Sequence, residues 1–316
     1  MHLVVWRGRG NLYDCDDKEP ALKCMLCPRM CGVDRSKTRG FCGMGEEITA
    51  AKAMLHFWEE PCVSGSRGSG AVFFSGCVMR CAFCQNYGIS SENFGRGISE
   101  NRLAEIFLEL REKGAANINL VNPTHFVPQI LRAIEMAKQS GLELPIVYNS
   151  GGYERVETLK TLEGAVDVYL PDVKYFSEDL ARKLSSAPNY FNTAMSAVEE
   201  MLRQVGKPVF NERGEITRGV IVRHLVLPNC HKDSIEIIKR LGERFRGEIL
   251  FSLMSQYTPF GRVKSDPELA KMNRRLTTFE YQKALDAALD AGLEGYMQEK
   301  SSAKEEYTPV FDFEGL

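Results

Sequence analysis

From Ala71 onward, short apolar runs alternate with stretches in which apolar residues recur every three or four positions. Runs of four to five apolar residues bounded by turn formers read as buried parallel strands, and the 3.6-residue recurrence reads as helices packed on them. Ala71-Val72-Phe73-Phe74 is the first such run. Ser99 then suits the N-cap of a helix with Leu103, Ile106, Phe107 and Leu110 on one face, ending near Gly114. The unit repeats. Asn117 to Val121 precedes a helix marked by Val127, Ile130, Leu131 and Ile134; Pro145 to Tyr148 precedes one with Val156, Leu159 and Leu162. Val166 to Leu170 is followed by helices around Leu180, Leu184 and around Val198, Met201, Leu202, Val205; Gly219 to Arg223 by Ile235, Ile238 and Leu241; Ile249 to Leu253 by a helix near Phe279 to Ala291.

Six strand-helix units predict an α/β protein with a parallel sheet. They are too few for the closed eight-unit barrel and suit a partial (β/α)6 TIM-like barrel. Residues 64–300 form that barrel in this reading, preceded by an irregular Cys-rich segment over 1–63 and followed by a tail over 301–316. The run Glu59 to Gly70, rich in Gly and Ser, reads as a flexible joint between the first two. Tyr307, Val310, Phe311 and Phe313 give the tail enough apolar surface to dock back on the barrel or cover its open edge.

In parallel α/β sheets function collects at the carboxyl ends of the strands. After the second predicted strand, Asn122 and Thr124 offer acceptors for an ammonium group, or Thr124 caps the following helix. The third ends in Asn149-Ser150-Gly151-Gly152, where a ribose or carboxylate can approach the backbone closely, or where the chain makes a sharp turn. Asp172 and Lys174 follow the fourth, as ligand contacts or as a buried ion pair across the mouth. Arg223 ends the fifth, where its planar fork suits a carboxylate or, if it points outward, it is an ordinary solvated arginine. His125, His224, Gln256 and Tyr257 are further polar groups near these ends.

Composition narrows the class. The chain has 316 residues, 44% hydrophobic and 26% charged, with net charge -2, which is ordinary for a soluble globular protein and predicts no nucleic-acid partner. No apolar run approaches the roughly 20 residues of a membrane helix, and the amino terminus lacks a signal-peptide pattern, so a cytoplasmic protein with no membrane partner is expected. In that compartment the 10 Cys, clustered at tight spacings, read as metal ligands before disulfides.

Two Cys sets stand out. Cys24, Cys27, Cys31 and Cys42, with Cys15 able to replace one of them, can enclose a structural zinc or an auxiliary iron-sulfur cluster, and spacing does not choose. Cys77, Cys81 and Cys84 follow the first strand as C-x3-C-x2-C, one thiolate short of a closed 4Fe-4S cube or tetrahedral zinc.

This spacing, with Phe83 before the third Cys, resembles the cluster loop of the radical S-adenosylmethionine superfamily. The resemblance implies a 4Fe-4S cluster with S-adenosyl-L-methionine on its fourth iron. An electron from the cluster breaks the sulfonium, giving a 5′-deoxyadenosyl radical that abstracts hydrogen from the substrate. Asp172-Val173-Lys174 and Arg223 are similar to cofactor-contacting positions of pyruvate formate-lyase activating enzymes, and the whole chain looks like uncharacterised homologues of these. Asn122-Pro123-Thr124-His125 stands where the family has a Gly-Gly-Glu stretch for the methionine amine. The resemblance implies an oxidoreductase of the glycyl-radical-enzyme activating type. Its partners would be an electron donor such as a flavodoxin or ferredoxin and a glycyl radical enzyme. A small-molecule or peptide substrate is the alternative, and a non-catalytic metal-binding or electron-transfer protein a second.

Overall fold

The computed structural model describes residues 23–298 and 309–316. In chain order its strands are β1 (Ile48–His56), β2 (Ser69–Phe74), β3 (Arg96–Ile98), β4 (Ile118–Val121), β5 (Ile146–Ser150), β6 (Val168–Pro171), β7 (Val209–Phe210), β8 (Ile216–Leu225), β9 (Leu250–Met254) and β10 (Gly295–Met297). The helices are α1 (Pro61–Ser64), α2 (Tyr87–Ser90), α3 (Glu100–Glu112), α4 (Val127–Gln139), α5 (Val156–Lys160), α6 (Glu178–Ser185), α7 (Tyr190–Val205), α8 (His231–Phe245) and α9 (Thr278–Asp290).

The sheet runs β10-β9-β8-β6-β5-β4-β2-β1-β3. The six strands expected from the apolar runs, β2, β4, β5, β6, β8 and β9, are parallel neighbours in chain order. Each is mostly apolar because both faces are covered, by helices outside and by the barrel interior within. Helix faces agree as well: Leu103, Ile106, Phe107 and Leu110 of α3 are buried, and Ser99 caps it by accepting from the Arg102 N–H.

Three features depart from expectation. Residues 48–56 are a strand, β1, antiparallel to β2, although the segment before residue 63 was expected to be irregular throughout; residues 23–47 are irregular. An Ala-rich strand buried on both faces carries no alternation to signal it. The supposed joint at Glu59 to Gly70 holds α1 and the start of β2, and Cys62 and Val63 pack on Val147, Val168 and Ile221 as a plug in the barrel. Residues 309–316 dock on β1: Phe313 N–H donates to Ala51 O at 3.1 Å and Ala53 N–H to Glu314 O at 2.9 Å. Lys52 pairs with Asp312 and Glu314, and the Phe311 ring lies 5.6 Å from that of Phe73. Cys15 and Tyr307 lie outside the described residues.

Behind the sheet, Glu154 is buried among Thr124 Oγ1, which donates to it at 2.7 Å, Tyr148 OH at 3.3 Å and Ser150. Burial raises its carboxyl to about 7, opposed by these hydrogen bonds. A carboxyl raised on folding contributes fully below its unfolded value of 4.5, and the contribution is lost as pH climbs through about 7. Glu154→Gln should therefore flatten the fall in stability between these pH values, by up to about 3 kcal/mol. Urea unfolding of both proteins at pH 5 and pH 8 measures this; parallel pH dependence would show Glu154 ionised throughout.

Candidate active site at the carboxyl ends of the strands

The loop after β2 carries Cys77, Cys81 and Cys84, all free thiols. Its path is set by backbone requirements. Gly76 has φ +80°, and a Cβ there would fall 2.4 Å from Met44 Cγ and 2.6 Å from Cys42 O. The loop's flanks are tied down. Asn122, itself at φ +61°, donates its side-chain amide to Gly76 O, and His125 Nε2 lies 2.7 Å from Ser75 O. Arg29 donates from Nε to Val78 O at 2.8 Å and from its Nη atoms to Ser185 O at 3.0 Å and to Ser186 O.

Hydrogen-bond donors converge on the sulfurs. Met79 N–H reaches Cys77 Sγ at 3.3 Å, Ser185 Oγ reaches Cys81 Sγ at 3.0 Å, and Ser90 and the Asn86 amide serve Cys84. Burial, and then the neighbouring Cys81, push the Cys77 thiol up to about 11 and that of Cys84 up to about 12. Three thiols within electrostatic reach of one another, with donors already aimed at their sulfurs, fit the ligands of an iron-sulfur cluster, where such bonds tune the potential. Among the described residues no three His, Cys, Asp or Glu close on one metal-ion position. A cube of four irons does not need them to, since its thiolates stand apart at its corners.

Beside this loop the barrel interior is polar. Arg223 is buried with each arm of its fork on a different partner: Nε on Asp172 Oδ1 at 3.1 Å, Nη1 on Glu59 Oε2 at 3.1 Å and Nη2 on Asn149 Oδ1 at 2.5 Å. Asn149 and Asn119 donate to the other Glu59 oxygen at 3.3 and 2.9 Å. Lys174 closes on Asp172 Oδ2. Burial alone would raise the Asp172 carboxyl, but Lys174 and Arg223 bring it below its usual range. Burial would likewise lower the Lys174 ammonium, and Asp172 with the Cys81 thiol holds it raised. Gly151 lets this wall meet the Cys loop: a Cβ there would lie 2.7 Å from Met79 Sδ and 3.8 Å from Lys174 Cε. Tyr190 OH fixes the turn by donating toward Gly151 O and Asp172 O at 2.8 and 2.9 Å.

The structure thus gathers Asn149, Asp172, Lys174 and Arg223 beside the Cys77 loop. It does not bring Thr124 or Ser150 to them. Thr124 is not the helix cap: it lies in a short 3-10 turn, α4 begins without a side-chain cap, and its hydroxyl is fully buried and donates to Glu154, away from the Arg223 cluster. Ser150 follows Asn149 in a strand and so faces the other side, toward Glu154. Asn122 spends its side-chain N–H on the loop carbonyl, a positioning contact.

His224 is a buried structural group, 2.6 Å from Val173 O and 2.9 Å from Ser234 Oγ, with burial holding its imidazole down at about 4. His125 is held at about 3 by burial. Tyr257 is core, with its OH on Met272 O at 3.0 Å and its ring 5.9 Å from that of Phe83. Gln256 is nearer the loop, its carbonyl accepting from Gln85 Nε2 at 3.4 Å. Glu59 was missed because it sits in the stretch read as a joint. The available signal was Pro61, a residue suited to a helix start, with apolar Cys62-Val63 behind it.

Comparison with known proteins gives the family. The family model of the radical SAM superfamily matches residues 71–241. An uncharacterized protein of Methanocaldococcus jannaschii is 31% identical over 274 residues, 84% of this chain and 74% of that protein. Among solved structures, a radical SAM methyltransferase from Sphaerobacter thermophilus gives a TM-score of 0.49 at 15% identity, over 73% of this chain and 66% of that one. A domain of pyruvate-formate lyase-activating enzyme from Bacteroides vulgatus ATCC 8482 gives 0.41 at 12% identity, over 58% of this chain and 100% of that one. With over half its length matched, and its first cysteine loop at the end of the first parallel strand, the chain belongs to the radical SAM superfamily, whose domain implies a 4Fe-4S cluster and S-adenosylmethionine.

Proposed function

We propose that this protein cleaves S-adenosylmethionine reductively and directs the resulting radical to a hydrogen of its substrate, in the manner of a glycyl-radical-enzyme activase. The reading is carried by one juxtaposition: the thiols of Cys77, Cys81 and Cys84 beside Asp172, Lys174 and Arg223. When bound, the cluster supplies the electron that breaks the sulfonium bond. Everything else is work for the polypeptide.

The three cysteines would hold three irons, and Met79, Phe83 and Tyr257 shield one side of their loop with apolar surface. Lys174 places a cation between the Asp172 carboxylate and the cysteines, where it offsets negative charge and leaves an ammonium to orient a carboxylate. Asn149 Oδ1 and the Asp172 carboxylate already accept from Arg223 and Lys174, and their remaining lone pairs would be the acceptors for the amine and hydroxyl groups of the cofactor. Arg223 spends its fork within the protein, so its part is to hold Asp172 and Asn149 in register.

A small-molecule or peptide substrate is the second reading. It is favoured by the amino-terminal segment, which packs against the Cys loop through Arg29 and against α5 through Leu26 O, accepting from Thr158 Oγ1 at 2.7 Å. Incubating the reduced protein and S-adenosylmethionine with each glycyl radical enzyme of the host separates the two. A glycyl radical signal on one supports the activase, and none on any of them removes it.

Cys77→Ala, Cys81→Ala or Cys84→Ala should each abolish 5′-deoxyadenosine formation, measured by chromatography after anaerobic reconstitution, because two thiolates do not hold the cube. Retained formation in any one would exclude it as a ligand. Glu59→Ala should destabilise the protein by on the order of 3 kcal/mol in urea unfolding, since it leaves the Arg223 guanidinium buried with one arm unpaired. A loss well under 1 kcal/mol would mean that water replaces the carboxylate.

A further inference from the structure

The second Cys set lies in residues 23–47, a stretch without regular secondary structure that nonetheless buries Cys24, Cys27 and Cys42. Two tight turns shape it. Cys24 N–H donates to Val33 O at 2.9 Å, Gly32 N–H to Cys24 O at 3.1 Å and Met30 N–H to Cys27 O at 3.0 Å; facing them, Gly43 N–H donates to Gly40 O at 2.9 Å and Gly40 N–H to Met44 O at 3.2 Å.

The turns bring the sulfurs toward one space. A Cβ on Gly40 would lie 3.2 Å from Cys31 Sγ and 3.6 Å from Cys42 Sγ, so the absence of a side chain there lets both thiols border the same gap. Cys27 is within electrostatic reach of Cys24 and Cys42, and Cys42 of Cys24 and Cys31. All four are free thiols. Between Lys23 and Cys42 the chain carries Lys23, Arg29, Arg35, Lys37 and Arg39 against the single acid Asp34, with Glu46 and Glu47 only beyond the last thiol, a setting suited to several thiolates at once. Buried thiols with no disulfide, in a segment with little apolar core, are what a soft, four-coordinate metal centre needs and what it would stabilise.

This set also touches the first. Cys77 N–H donates to Cys42 O at 3.2 Å, Gly76 is cleared against Met44 and Cys42 O, and the Arg29 fork, between Cys27 and Cys31 in the chain, ends on Val78 O in the other loop. Arg29 is held in turn by the Phe41 ring, 3.8 Å from its Cζ.

We propose that Cys24, Cys27, Cys31 and Cys42 hold a second, thiophilic metal centre, abutting the Cys77 loop and fixing its position. Zinc and an iron-sulfur cluster share the chemistry. Zinc would require the sulfurs to close onto one point, and a cluster would be taken with them further apart. The centre itself does not depend on the activity proposed above; its effect on the Cys77 loop does rest on that loop holding a cluster.

The test uses the full chain carrying Cys77→Ala, Cys81→Ala and Cys84→Ala together, so that only the second set can bind. After purification without oxygen, it is offered zinc in one arm and iron with sulfide in another, and metal and acid-labile sulfide are counted per chain. The expected result is one zinc, or about four iron with four sulfide. That content should disappear when the other four Cys are also replaced by Ala. No metal above this seven-fold variant in either arm would overturn the proposal.

For the link between sites, Cys31→Ala is chosen because that thiol is exposed and its loss leaves no cavity. With the first three Cys intact, the visible absorbance of the reconstituted Cys77 cluster should decay on the order of tenfold faster under a chelator. An unchanged decay would leave the two loops independent and overturn that half of the proposal.

Discussion

A single guanidinium holds the interior of this barrel together. Arg223 at the end of β8 reaches Asp172 after β6, Asn149 in β5 and Glu59 ahead of α1, so one planar fork fixes four pieces of chain at once. Burying such a cation is costly, and a well-packed apolar replacement of the whole cluster could match its contribution to stability. The directionality is what apolar packing would not reproduce. Each arm accepts one geometry, and through Asp172 that geometry extends to Lys174 and the edge of the Cys loop.

The loop depends on the same logic applied to backbone groups. Its carbonyls are claimed by Asn122 and Arg29, that of Ser75 just before it by His125, and its first cysteine amide by Cys42. None of these residues is suited to abstract hydrogen. Their role is to keep three sulfurs at separations an inorganic cube can accept, and a loop with free carbonyls would wander among many others.

How much of this was legible beforehand follows from the kind of signal each feature leaves. The parallel strands announce themselves because burial on both faces makes them mostly apolar, with polar residues such as Asn119, Asn149 and Arg223 only where they face the barrel interior, and the helices between them because one face stays polar. β1 left no such mark: Ala50, Ala51 and Ala53 are small and Lys52 is charged, yet the strand is covered on both sides. At the site, naming Asn149 and Ser150 together overlooked the parity of a strand, in which neighbours point to opposite faces and only one can look into the barrel. The partner of Thr124 was hidden for a different reason. Glu154 lies 30 residues further on, and nothing local reveals a carboxyl waiting behind the sheet.

The last residues of the chain have a bearing on solubility. Ala51 and Ala53 would present a bare ladder of amides and carbonyls along a small-residue strand, the sort of margin onto which a neighbouring molecule can zip. Phe313 and Glu314 occupy that ladder, and the carboxylates of Asp312 and Glu314 beside Lys52 leave charge on its outer rim. The chain thereby covers with its own backbone a margin that would otherwise stand open as an unpaired edge.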